Sequence, residues 1–513
     1  MQPSNRMMLN TMVMYTKYII NMVVVLFASR WVLLALGEED FGIYNLVAGI
    51  IAMLMFLNIT MASSTQRFLS YAVGTKDDNL IKETFKNSLI IHFFIGVVVF
   101  ILFETIGLYS LHHILSVPEG KMSLAEFVLH CMSTSTFFTI VCVPFHAALL
   151  THENILFISI IQVAHAVFKF IVAFILLYLS SDRLRIYAVL MMTLTILESL
   201  AFVYYVKKNY FEANISLKKG WHNNNLMKKI LAYSGWNLIG GISSVFRSQG
   251  VAMLLNSFFG VIINAAWGIA YQINGQLSFF SHAIVTATRP QIVKSEGGGN
   301  RERMLSLSMT TCKISFLLLS IFCIPLIIEM PYVLRIWLKV VPDYTTVFSR
   351  FILLLTLISQ LSIGVSICVE SVGNIKAMQI IVGGLHFLVI PVGFFLLRLG
   401  YQPYAVCIVM VLEEVLSFIF RIVIAHKTAG LPILFFMKKI VLPSICCVIS
   451  VSFLCLSLDY TFEENFLRLC LVSLCSAASI SLISYKLLLS PKEKEKIGGF
   501  YKSFNEKIKH HKS

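Results

Sequence analysis

The sequence predicts an all-α integral membrane protein of about 14 transmembrane helices. Three observations predict it. Apolar runs of helix-spanning length recur along the 513 residues, only 13% of residues are charged against 58% hydrophobic, and Lys and Arg collect on every second connection. A helix needs roughly 20 apolar residues to cross the hydrocarbon of a bilayer, and a soluble domain carries about 25% charged residues. The formal charge of +15 does not point to nucleic acid, because no folded soluble region is left to display a basic groove. It reads as anchoring to anionic membrane lipid.

Spans are expected at 9–36, 41–61, 88–110, 124–150, 155–179, 186–206, 231–258, 261–287, 312–332, 347–370, 377–397, 404–424, 439–457 and 466–489. The basic connections are Arg67 to Lys86, Lys207 to Lys229, Arg289 to Lys313, Lys376, Lys427 to Lys439 and the tail after Pro491; with Arg6 they hold 27 Lys and Arg. The alternate connections hold 6, namely Lys121, Arg183, Arg185, Arg335, Lys339 and Arg398, and two acidic turns, Glu38-Glu39-Asp40 and Glu463-Glu464. The bias puts both termini in the cytoplasm, as an even span count requires. The first span lacks a cleavage site and reads as an anchor that stays. The 11 cysteines lie almost all in apolar runs without a C-x-x-C, so they read as small packing residues. No metal and no cofactor is expected: His112-His113 has no further ligands, and no phosphate-binding G-x-x-x-x-G-K-[ST] occurs.

The stretch 207–230 is the longest connection and divides the chain. The expected organisation is an N-lobe 1–206, a cytoplasmic linker 207–230, a C-lobe 231–426, an added span pair 427–489 and a basic tail 490–513. An internal repeat supports the division. At an offset of about 223, Leu36-Gly37 meets Phe259-Gly260, Gly42 meets Ala265, Tyr44 meets Trp267 and Gly74 meets Gly297; with a one-residue slip Arg67 meets Arg289. Transporter folds built from two repeated bundles show such weak symmetry.

Function must be sought among the polar groups left inside the spans. Lys17, Arg350, Arg468 and Lys486 lie near span ends, where long side chains snorkel to the headgroups. Arg30, Lys169 and Arg247 lie deeper, where a charge costs several kcal/mol unless it faces water, a partner or an anionic ligand. Each is read either as lining a cavity or as half of a buried ion pair. In span five Gln162, His165 and Lys169 share one stripe; in span seven Asn237, Gly240, Ser244 and Arg247 do the same. Span eight, with Asn264, Gln272, Asn274, Gln276, Ser278 and His282, is too polar to face lipid. Lys17 and Arg30 are 13 residues apart and point to roughly opposite helix faces, so only Arg30 is expected at a cavity. The embedded acids are Glu104, Glu198, Glu413 and Glu414, and Glu414 shares a face with Ser417 and Arg421. They either carry protons or neutralise the deep cations. His92, His146 and His386 read as packing residues.

One resemblance is specific. Ser29-Arg30-Trp31-Val32-Leu33, Leu36-Gly37, Asp40-Phe41-Gly42-Ile43-Tyr44-Asn45-Leu46-Val47 and Ser64-Thr65-Gln66-Arg67-Phe68 resemble the opening of Wzx-type polysaccharide flippases, in the form common in Bacteroides-like bacteria. Ser234-Gly235-Trp236-Asn237-Leu238, Gln249-Gly250, Asn264-Ala265-Ala266 and Thr288-Arg289-Pro290-Gln291-Ile292 are similar to that family's seventh and eighth spans, and the likeness covers residues 10–430. It implies the MATE-like arrangement of the multidrug/oligosaccharidyl-lipid/polysaccharide exporter superfamily: two six-helix lobes about a cavity that opens alternately, with the last two spans as an addition.

The function it implies is the flipping of polyprenyl-pyrophosphate-linked oligosaccharide repeat units of O-antigen, capsule or exopolysaccharide across the bacterial inner membrane. A polysaccharide polymerase and glycosyltransferases would be its partners. Arg30 and Arg247 would bind the pyrophosphate with Lys169 assisting, Asn237 and Gln272 would serve the sugar, and Glu104, Glu198, Glu413 or Glu414 would couple ion flow. The alternative within transport is a MATE-like cation or drug antiporter, which calls for a cavity dominated by carboxylate. An enzyme of the same pathway is disfavoured, because the outer connections are short and poor in paired His, Arg and Asp. A non-transporting scaffold would leave the deep charges unexplained.

Overall fold

The computed structural model describes residues 3–113, 115, 117–118, 120–178, 182–214, 223–338, 340–491 and 493–494, and within them the main chain alone at 3–11, 19, 21–23, 25–30 and 52–56. Among the described residues there is no strand.

Two very long helices organise the chain. α1 (Pro3–Thr75) is interrupted once, at Gly37 with φ 77° and ψ 172°; α7 (Asn224–Gly297) is interrupted once, at Gly260 with φ 79° and ψ −173°. Only glycine adopts that backbone without strain. Each helix therefore supplies two spans joined by one residue rather than by a loop. The acidic turn expected at Glu38-Glu39-Asp40 is instead the first turn of the second arm of α1, where carboxylates complement the helix dipole. Asp40 also accepts from Lys121 Nζ at 2.5 Å. That hydrogen bond holds the Lys121 ammonium above its ordinary pKa.

The repeat seen in the sequence is written in the backbone. Gly37 and Gly260 are 223 residues apart, and the turns that end the two long helices keep the same spacing. Lys76 (φ 59°) corresponds to Gly299 (φ 73°). Asp77 corresponds to Asn300, and each caps the next helix with its side chain, Asp77 on the amides of Asn79 and Leu80, Asn300 on that of Arg303. The charged loops expected after spans two and eight thus shrink to tight turns.

The remaining helices are α2 (Asp78–Leu102), which runs through a π-turn (Phe103–Gly107) into α3 (Leu108–His113), then α4 (Met122–Thr151), α5 (Ile155–Leu176) and α6 (Arg183–Asn209). After α7 come α8 (Arg301–Ile328), α9 (Met330–Leu338), α10 (Thr345–Gln360), α11 (Ile363–Val372), α12 (Lys376–Arg398), α13 (Ala405–Ala429), α14 (Ile433–Phe436), α15 (Leu442–Thr461) and α16 (Phe466–Ile483). Nine described helices are long and apolar enough to cross a membrane, ten with α10 and α11, which meet at 44° as one broken span. With the two arms of α1, the second arm of α7, and α13, every predicted span falls on a helix.

The chain divides into two compact units. One holds Asn10–Gly241 with Gly297–Gly299; the other holds Met1–Leu9, Ile242–Glu296 and Asn300–Ser513. The first eighteen residues of α7 thus pack with the N-terminal unit. Ile230 is buried against Met61 and Ile91, Phe68 meets Tyr233 edge-on at 5.5 Å, and Asn237 Nδ2 donates to Thr60 O at 3.0 Å and Ser63 Oγ at 2.7 Å. Gly297 presses on the Tyr71 carbonyl so closely that a Cβ would lie 2.2 Å from it. In the C-terminal unit α11 crosses α8 at Gly364, where a Cβ would lie 2.0 Å from Ser308 O. Backbones that close require glycine, as helix contacts in membranes commonly do.

α15 and α16 pack on α8. Arg468 of α16 lies 2.8 Å from fully buried Glu329, which follows α8, and 3.0 Å from Asp459. Beyond the span, Glu493 accepts from Lys313 of α8 at 2.7 Å. Burial alone would push the Glu493 carboxyl up, but the Lys313 contact and the Ser490 amide hold it below its ordinary value. Arg468 was expected to snorkel and is tied to carboxylates instead. Arg350 likewise donates to the carbonyls of Ile327 and Ile328, which lack helical partners at the end of α8.

Candidate functional site

In the N-terminal unit the site is built on α5. Its predicted stripe is present, and each member has a different environment. Gln162 Oε1 accepts from Lys17 Nζ at 2.9 Å. Lys17 is only 8% exposed, which corrects the expectation that it reaches the headgroups. His165 Nδ1 lies 2.6 Å from Glu198 Oε2 on α6, and Glu198 is within electrostatic reach of Lys17. Lys169, one turn beyond His165, is half-buried and has no acidic or hydrogen-bonding partner among the described residues. Trp31 stacks on Phe170 at 4.4 Å, so the main chain at Arg30 runs level with that at Lys169. The Arg30 side chain lies outside the described residues.

Glu104 is carried by the π-turn after α2. Its Oε2 is 2.6 Å from His130 Nδ1 of α4, and its Oε1 accepts from Ser133 Oγ. A π-turn inserts one residue into a helix and re-aims the side chains around it, which is why such turns recur at functional sites. Within the same unit lies a cavity of about 320 Å³ walled by α4, α6 and the second arm of α1, lined mostly by apolar side chains such as Ile51, Met132 and Met191, with Tyr44, Ser135, Thr136 and Thr195 among them.

The C-terminal unit treats its charges differently. Arg247 Nη1 of α7 lies 2.5 Å from Glu413 Oε2 and 3.1 Å from Glu414 Oε2 on α13. Arg421 donates to Glu414 Oε1 at 2.6 Å and to Ser362 Oγ at 3.1 Å. Ser417 Oγ donates to Glu413 Oε1 at 2.6 Å. His386 Nε2 stands 3.7 Å from the same oxygen. The predicted shared face of Glu414, Ser417 and Arg421 is used in full. Two guanidinium groups meet two carboxylates, so the network is close to neutral. The donors of His386, Glu413 and Glu414 lie within 4.8 Å of one another, but the carboxylates already accept from two arginines. That donor set does not suit a metal cation.

Of the other expected site residues, Asn237 is engaged with Thr60, Ser63 and Ser64, and Gln272 is exposed. Arg247, Glu413 and Glu414 come together; Glu104 and Glu198 stand apart from them in the other unit. Sequence reasoning missed Lys17 and His130. Lys17 lies near a span end, where snorkelling is the ordinary expectation. His130 lies near the start of a span and shows its role only through Glu104, 26 residues earlier.

A family model, MatE, matches residues 11–175. No curated protein matches the chain by sequence. The fold is similar to that of a MATE transporter in the bent conformation, with a TM-score of 0.73 at 15% identity over 84% of this chain and 96% of that one. It is also similar to an outward-facing multidrug resistance MATE family transporter of the MOP superfamily, with a TM-score of 0.70 at 15% identity over 83% and 96%. A third likeness is to a MOP superfamily transporter from Pyrococcus furiosus, described as having a binding pocket of reversed polarity that suggests a different function; its TM-score is 0.67 at 14% identity over 83% and 96%. The chain is thus a multi-pass membrane protein with the MATE transporter fold, all-α, with two six-helix lobes and two further C-terminal helices.

Proposed function

We propose that this transporter flips an anionic lipid-linked cargo, a polyprenyl-pyrophosphate-linked oligosaccharide, across the bacterial inner membrane by ion-coupled alternating access. The observation that carries the reading is Lys169. A half-buried ammonium in a span without a described partner is costly unless an anionic ligand or water completes it. A diphosphate headgroup is such a ligand. A cation exporter would instead need a carboxylate left open, and both Glu104 and Glu198 lie against histidines. The similar fold from Pyrococcus furiosus, described as having a binding pocket of reversed polarity that suggests a different function, is consistent with the fold serving more than one function.

Arg247 plays a smaller part in this proposal than the resemblance implies, because its charge is already matched by Glu413 and Glu414. Arg30 stays in the proposal beside Lys169 through the level of its main chain. Both termini are taken as cytoplasmic from the bias of basic connections, and the glycosyltransferases and polymerase of the same pathway as partners.

The test is turnover of lipid-linked oligosaccharide by the full chain in proteoliposomes. Turnover is expected with the native chain, is lost with Lys169→Ala and is partly kept with Lys169→Arg. Efflux of organic cations without lipid turnover would overturn the reading in favour of a cation antiporter.

A further inference from the structure

We propose that the N-terminal unit binds a cluster of internal waters in a polar seam between the second arm of α1, α2 and α4, held by Thr65, Gln66, Asn87, Ser88 and His92. None of these residues lines the cavity or belongs to the α5 stripe. The proposal stands whatever the cargo is.

Helix register brings the five residues together. On α1, Met61, Thr65 and Leu69 follow one another at helical spacing and share a face. Met61 packs with Ile91 of α2, and Leu69 packs with Ile81 and Phe85 of α2 and with Phe145 of α4. Thr65 lies between them, so it faces α2 between Phe85 and Ile91, where Asn87 and Ser88 stand. Gln66 is one turn before Ser70, whose hydroxyl meets that of Thr151 on α4 at 3.0 Å, so Gln66 turns toward α4. α4 closes the seam against α2. Phe85 meets Phe145 edge-on at 5.2 Å, and a Cβ on Gly96 would lie 3.1 Å from Phe137. His92 lies between those two contacts, level with Ile140 and Val141 of α4.

The seam is buried and its polar groups are open. Thr65, Asn87, Ser88 and His92 are each at most 1% exposed. Thr65 Oγ1, Gln66 Nε2, Asn87 Nδ2 and Oδ1, Ser88 Oγ and His92 Nε2 have no hydrogen-bond partner among the described residues. A buried polar atom left dry costs its full desolvation, so a run of them at one level calls for a ligand. Its chemistry follows from the set. His92 Nδ1 lies 2.7 Å from the Ser88 carbonyl and carries its proton there, which leaves Nε2 of the neutral ring a bare acceptor. Pro144 stands inside α4 and cannot give Ile140 O the N–H that a helix supplies. Two acceptors therefore stand at the same level, while Asn87 Nδ2 and Gln66 Nε2 can only donate. None of the five side chains is a carboxylate, Lys or Arg. A cation would meet the amide donors, and an anion would meet the bare acceptors. Water donates to one kind and accepts from the other. Such waters complete α4 where its main chain lacks a bond, so α4 can bend at Pro144 without stranding a carbonyl.

The test is hydroxyl-radical footprinting of the full chain in lipid nanodiscs, in water enriched in heavy oxygen. Radiolysis of a bound water oxidises the side chains against it, and dry buried side chains stay unlabelled. His92 and Phe145 are expected to take up heavy oxygen although they are buried, whereas Met304 and Phe348, fully buried in the C-terminal unit, are not. Ser88→Ala and Asn87→Leu should each lower uptake at His92 severalfold, and Pro144→Ala should lower it by giving Ile140 O its N–H. A melting curve checks that each variant is folded; should Asn87→Leu fail to fold, Ser88→Ala decides. No uptake at His92 in the native chain, or undiminished uptake in the folded Ser88 and Asn87 variants, overturns the proposal. Uptake that is present in sodium and lost when choline replaces it would give the seam to a hydrated cation, and overturns it as well.

Discussion

The two units solve the same problem with different chemistry. Both must hold charge inside a bilayer. In the C-terminal unit Arg247 and Arg421 hold Glu413 and Glu414, Arg289 holds Glu370 and Arg468 holds Glu329. In the N-terminal unit Glu104, Glu198 and Glu212 lie against His130, His165 and His152, while Lys17 rests on a neutral amide and Lys169 on nothing described. A guanidinium keeps its charge at any physiological pH. An imidazole is not a fixed cation in the way a guanidinium is. The repeat thus supplies one framework twice. The C-terminal copy sets its deep carboxylates against arginine, and the N-terminal copy sets its own against histidine.

The comparison can be broken first at Arg247. Removing one partner of a buried pair leaves an uncompensated charge, at a cost of about 3–5 kcal/mol. Arg247→Ala is therefore expected to lower the melting temperature of the detergent-purified protein by more than any N-unit charge variant. Triple replacement with Arg247→Met, Glu413→Gln and Glu414→Gln should recover part of the loss. Normal stability in Arg247→Ala would show that the C-terminal charges are not closed on one another.

Next come the two breaks in the long helices. Gly37→Ala and Gly260→Ala each force a Cβ into a conformation that costs about 1–3 kcal/mol. Because the two glycines share φ and ψ, the two variants should lose similar stability in a chemical denaturation series. A loss confined to one of them would mean that the backbone repeat does not extend to energetics.

Lys169→Ala is expected to leave stability within about 0.5 kcal/mol, since surface-like substitutions without lost contacts stay in that range, while turnover falls. This is the reverse of the Arg247 outcome, in which stability takes the largest loss. A large stability loss in Lys169→Ala would give it a structural partner and remove the main support for an anionic cargo.

The smallest effects concern two pairs at the membrane edges, and they have opposite signs. The raised pKa of Lys121 means that its pair with Asp40 contributes fully below the ordinary lysine value and loses that contribution as pH rises through the higher folded value. The lowered pKa of Glu493 means that its pair with Lys313 contributes above the ordinary carboxylate value and is lost as pH falls through the lower folded value. Melting temperature against pH should therefore lose an alkaline step in Asp40→Asn and an acidic step in Lys313→Met.

Much of the fold was legible in the residues. Spans follow from apolar length, and the repeat follows from Gly37, Gly260 and their flanks. The α5 stripe follows from helical spacing, because residues at i, i+3 and i+7 share a face whatever the helix packs on. The turns at 38–40 and 76–77 were not legible, because one glycine with an extended backbone replaces a loop without any change in hydropathy.

By itself, then, the sequence determined the membrane class, the span positions, the repeat and which polar residues had to be buried. These are local properties, fixed by chain length, helical period and transfer into hydrocarbon. Only the tertiary structure decided which buried charges are matched. The partners of Arg247 lie 166 and 167 residues away and that of Lys17 lies 145 away, so their meeting depends on how each helix is rotated against its neighbours. That rotation is set by packing between helices and not by the hydropathy of either one.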